Sequence, residues 1–174
     1  MMKSVLIAIR PQWAEKIAKG IKTIEVRKTA PKEVPFKAYI YCTKEKKQDD
    51  IIWAGVCGDR GKWNRRVIGE FICNNASELD YVYYWNNGYE FETCLTYRQV
   101  ADYGKGKTLY GWHISDLKIY DKPKELSEFR KPCDRFLDCC TCRRLVHNEY
   151  MSCDNKITRP PLSWCYVEDL GEEE

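Results

Sequence analysis

Histidine is nearly absent: His113 and His147 are the only two in 174 residues. Neither stands in a motif with a serine or cysteine, so a nucleophile–base pair is not predicted and covalent catalysis is not expected. No apolar run approaches the roughly 18 residues of a membrane span, and MMKSVLIAIRPQW holds too short an apolar stretch for a secretory signal. A cytoplasmic protein with no membrane partner is the expectation. No internal repeat is visible, which argues against a solenoid. Charged residues at 32 % and aromatics at 13 % argue equally against disorder or a low-complexity fibre.

The chain is about one domain long, enough to bury roughly 70 % of its unfolded surface. We read residues 1–174 as a single domain. Net charge is only +3, but residues 1–72 carry 16 Lys/Arg against 8 Asp/Glu, and residues 73–174 carry 13 against 18. An anionic partner would dock on the basic N-terminal portion. A solvated lysine-rich face is the plainer alternative.

SVLIAIR (4–10) is apolar, β-branched and poorly alternating, as a buried strand would be. PQWAEKIAKG predicts a short helix, with Pro11 in its first turn, Trp13 and Ile17 on one face, and Gly20 closing it. KTIEVRK (22–28) follows as a second strand. The two-residue period puts Thr23, Glu25 and Arg27 on one face and Lys22, Ile24 and Val26 on the other. Further strands are expected over 36–44, over 65–74 with a bulge or close approach at Gly69, over 108–123 and over 161–170. Residues 51–66 read as a loop, 76–91 as an aromatic-rich excursion, and 96–106 as a short helix closed by glycines. Short strands outnumber helices, so the fold class is α+β and mainly β, a small β-barrel with accessory short helices.

Gly20, Lys22, Glu25 and Arg27 spell G-x-K-x-x-E-x-R after a strand and a short helix. With VIGEF (67–71), YGWHISDL (110–117) and SWCYVEDL (163–170), this resembles the ASCH domain family, whose fold is a PUA-like β-barrel. The closing strand looks like that of phage and bacterial relatives. The resemblance spans residues 3–120 and 160–170. It implies an RNA partner, by analogy with PUA domains, or a modified nucleoside. A minimal bacterial member, similar only around the motif, hydrolyses N4-acetylcytidine with the motif lysine, a threonine three residues later and a distant glutamate. Here Glu25 occupies the threonine position, the form found in most ASCH proteins.

Two kinds of site are compatible with these residues. In a binding site, Arg27 would offer a planar fork, Lys22 a point charge and Glu25 an acceptor, with Trp13, Trp53, Trp63 and Trp112 as stacking surfaces and Glu70 and His113 nearby. In an amidohydrolase, Lys22 or Glu25 would act as general base and Arg27 would hold the oxyanion. An ion pair that merely braces the strand is the structural alternative. A module that binds another protein is a third functional possibility.

Ten cysteines without a secretory signal do not read as a disulfide framework. Cys42, Cys57, Cys73, Cys94 and Cys165 are scattered and suit ordinary buried thiols. Within an insert at 131–157, Cys133, Cys139, Cys142 and Cys153 are spaced C-x5-C-x2-C-x10-C, with Cys140 and His147 in reserve. Four thiolates around a C-x2-C knuckle would hold one structural zinc and leave no open position for chemistry.

Overall fold

A computed structural model describes residues 2–44, 60–79, 89–132 and 155–171. The elements in chain order are β1 (Lys3–Ile9), α1 (Pro11–Ala18), β2 (Ile24–Arg27), β3 (Phe36–Cys42), α2 (Arg60–Trp63), β4 (Val67–Cys73) and β5 (Ala76–Leu79). There follow α3 (Tyr89–Thr93), α4 (Tyr97–Gly104), β6 (Leu109–His113), β7 (Ser115–Lys124), a 3-10 turn (Leu126–Glu128) and β8 (Trp164–Val167). The expected α+β, mainly β class is observed. The strands form a five-stranded sheet, β7-β4-β3-β1-β8, and a three-stranded sheet, β2-β6-β5. No hydrogen-bonded pairing of named strands joins the two sheets into one closed barrel among the described residues.

β1 and β3 pair in parallel at the centre of the larger sheet, and both of its faces are covered. Val5, Ile7 and Ile9 pack with Phe36, Ala38, Ile40 and Trp112 on one side; Leu6, Tyr39, Tyr41, Phe129 and Val167 pack on the other. Burial on both faces is why SVLIAIR does not alternate.

Gly69 shows the close approach that its place in a strand suggests. A Cβ there would stand 2.4 Å from the Lys118 carbonyl oxygen, and the β4–β7 register shifts between Val67 and Gly69. β4 runs almost directly into β5, and β6 into β7, so each chain segment passes from one sheet to the other. β5 falls inside the stretch read as an excursion. Its pairing with β6, rather than its own propensity, makes ASEL a strand. The remaining helices are short. α4 is entered through a capping box in which Thr96 and Gln99 satisfy each other's backbone N–H.

Candidate functional site

The motif begins at the C-terminus of α1. Gly20 has φ +69, which only glycine adopts without strain, and it sets up a Schellman closure: Gly20 N–H donates to Ile17 O at 2.8 Å and Ile21 N–H to Lys16 O at 2.9 Å. Lys22 N–H also donates to Lys16 O, at 3.1 Å. The helix end therefore fixes the backbone of Lys22 before β2 begins at Ile24. The simple alternation drawn through Lys22 does not hold, because that residue lies outside the strand. Its side chain turns to the same side as Glu25 and Arg27.

The three side chains form a buried ion cluster. Arg27 Nη2 stands 3.0 Å from Glu25 Oε1 and Lys22 Nζ 3.4 Å from Glu25 Oε2, both as ion pairs. The side chains of Lys22, Glu25 and Arg27 are 1 %, 7 % and 9 % exposed. Lys22 Nζ donates to Thr93 O at 2.5 Å at the end of α3, and it stands 5.5 Å from the centroid of the Trp13 ring. Arg27 Nη2 donates to Ala8 O at 2.7 Å, tying the smaller sheet to β1 of the larger. Burial lowers the pKa of Lys22, against the opposing pull of the Glu25 carboxylate. A cluster of two cations and one carboxylate leaves a net positive charge facing the space above it.

That space is a cleft of about 580 Å³. Lys22, Glu25 and Arg27 form part of its lining; Arg10 and Trp13 come from the start of α1, Gln99 and Tyr103 from α4, and Pro161 and Leu162 from the segment before β8. The structure thus brings Lys22, Glu25, Arg27 and Trp13 together. Glu70 and His113 stand outside this lining. Glu70 accepts from Tyr120 Oη at 2.5 Å and lines a different cleft beside Lys118 and Lys122. His113 ends β6, half-buried, with its backbone N–H on Asn75 O.

Of the proposed stacking rings among the described residues, only Trp13 lines the cleft. Trp112 is fully buried, packed edge-on against Phe36 at 5.0 Å and Trp164 at 5.7 Å, so it cannot stack on a ligand. Trp63 packs against the core, and Trp53 lies outside the described residues. Sequence reasoning missed Arg10, Gln99 and Tyr103. The faces of α4 were not assigned from TYRQVADYG, and nothing local says which face meets β2.

Cys133, Cys139, Cys142 and Cys153, with Cys140 and His147, lie outside the described residues. Among the described residues no cluster of His, Cys, Asp and Glu could hold a metal ion. Cys42 and Cys73 are buried and Cys94 and Cys165 half-buried. No helix among the described residues is long and apolar enough to cross a membrane.

No family model matches the chain, and no curated protein matches it. Solved structures do. ASCH from Zymomonas mobilis superposes with a TM-score of 0.60 at 20 % identity, over 95 % of this chain and 88 % of that one. The chain shares the ASCH fold. A serine-to-alanine variant of the same protein gives 0.59 at 20 % identity, covering 95 % and 89 %, and a tyrosine-to-phenylalanine variant gives 0.58 at 19 %, covering 95 % and 91 %. Within this fold, Lys22, Glu25 and Arg27 of the G-x-K-x-x-E-x-R motif line the cleft.

Proposed function

We propose that the chain is an ASCH-family protein that binds single-stranded RNA or a modified nucleoside in the cleft over β2, its two sheets serving as halves of a PUA-like barrel. One observation carries this reading: a buried, net positive Lys22–Glu25–Arg27 cluster opens onto a cleft that also holds Trp13, Tyr103 and Arg10. Cation plus aromatic is the combination that grips unpaired bases and their phosphates. An ion pair that only braced β2 would have no need of an aromatic-lined space above it. The test is fluorescence anisotropy with a short single-stranded RNA across a salt series. Affinity should fall with a slope of about −0.7 per phosphate contacted, and Arg10→Ala should remove about one such contact. Absence of binding at low salt, by this RNA and by nucleoside monophosphates alike, would sink the proposal.

A second reading rests on the lowered pKa of Lys22. Burial favours the neutral amine, and a neutral Lys22 beside Glu25 can take a proton from water attacking the amide of an acylated nucleobase, with Arg27 stabilising the oxyanion. Turnover of N4-acetylcytidine that rises with pH and disappears in Lys22→Met would support it. A folded wild-type protein without turnover would exclude it.

A further inference from the structure

Arg27 carries more hydrogen-bonding capacity than the fold uses. Its side chain is 9 % exposed, and Nη2 is committed to Ala8 O and Glu25 Oε1. Nε is buried with no partner, and among the described residues Nη1 makes no hydrogen bond. The buried Nε without a partner costs stability, and Nη1 keeps a donor that the fold does not use. Nε is shut away from the cleft, so Nη1, on a residue that lines it, is the donor left for an acceptor oxygen on whatever enters. Each carboxylate oxygen of Glu25 already stands against one cation.

The cleft has two aromatic rings, and they are not equivalent. Trp13 is approached by two ammonium groups, Lys16 at 5.1 Å and Lys22 at 5.5 Å from its centroid. Tyr103 is 37 % exposed and, among the described residues, is approached by Lys28 alone, at 4.9 Å. A cation over a ring occupies one face, which leaves Tyr103 the freer platform.

We propose that the cleft selects bases bearing a carbonyl oxygen, with Arg27 donating to that oxygen and Tyr103 stacking on the ring. This rests on the nucleic-acid reading of the site. Inosine and adenosine monophosphates test it well, because one purine carries an oxygen where the other carries an amine.

The experiment titrates wild-type protein with uridine, inosine and adenosine 5′-monophosphates by NMR chemical-shift perturbation, beside the RNA series. The two oxo nucleotides should bind about tenfold more tightly than adenosine monophosphate. Arg27→Lys, which keeps the charge, should equalise inosine and adenosine. Tyr103→Ala, at an exposed position, should weaken all three about tenfold and leave the preference intact. Equal wild-type affinity for inosine and adenosine, or a preference that survives Arg27→Lys in a folded variant, overturns the inference while RNA binding leaves the nucleic-acid reading standing. If neither RNA nor any monophosphate binds, both fall.

Discussion

Glu25 is paired with two cations at the buried floor of the cleft, so it is the residue on which the charge balance of the cluster depends. Glu25→Gln would leave Lys22 and Arg27 buried without their counter-ion, and breaking a buried pair in this way costs about 3–5 kcal/mol. Lys22→Met keeps most of the stem against Trp13 and leaves the Glu25–Arg27 pair whole. Its main loss is the donor to Thr93 O, worth about 1.5–3 kcal/mol. Equilibrium urea unfolding should therefore rank Glu25→Gln below Lys22→Met. The reverse order would mean that Lys22, not Glu25, balances the cluster.

At the scale of the element, β4 is held against β7 by the absence of a side chain. Gly69→Ala would drive a Cβ into the Lys118 carbonyl, and backbone on both sides leaves little room to yield. Overpacking of this kind costs about 1–3 kcal/mol, which a thermal melt would show as a lower midpoint. α4 carries Gln99 and Tyr103 into the cleft and starts at the Thr96 capping box. Thr96→Ala should cost about 1 kcal/mol and weaken ligand binding along with it, readable in the same anisotropy assay. The insert at 131–157 is proposed to fold around one zinc held by Cys133, Cys139, Cys142 and Cys153, because so polar a segment has few apolar side chains with which to order itself. Elemental analysis should find about one zinc per chain, and a metal-free, folded protein would end that proposal.

The whole molecule responds to pH through groups of opposite sign. Burial pushes the Cys73 thiol up from 9.0 to about 11, and pushes Cys165, Tyr39 and Tyr41 upward as well. A raised folded pKa contributes stability that is complete below the unfolded value and lost as pH climbs through the folded one, here between 9.0 and about 11 for Cys73. Lys22 is lowered by burial, so its contribution rises as pH approaches its ordinary 10.5. Thermal midpoints from pH 8 to 11 should thus fall less steeply in Cys73→Ala and more steeply in Lys22→Met than in wild type. Identical slopes would contradict the burial of both groups. Much of this was legible beforehand. The strand and helix order through β2, the glycine closure of α1 and the close approach at Gly69 follow from local rules of backbone geometry, which a short stretch of sequence carries in full. So does the shared face of Glu25 and Arg27, whereas the same two-residue period put Lys22 on the opposite face and only the closure of the helix end turned it to join them. The long-range partners were not legible. Tyr103 enters the cleft 76 residues after Arg27, Glu70 turns to another cleft, and Trp112 vanishes into the core, each decided by packing between elements distant in the chain. The sequence by itself determined a mainly β chain with a charged motif after a helix end. Only the tertiary structure decided that the motif is buried, paired and roofed by an open cleft, since burial is a property of what packs above a strand and not of the strand.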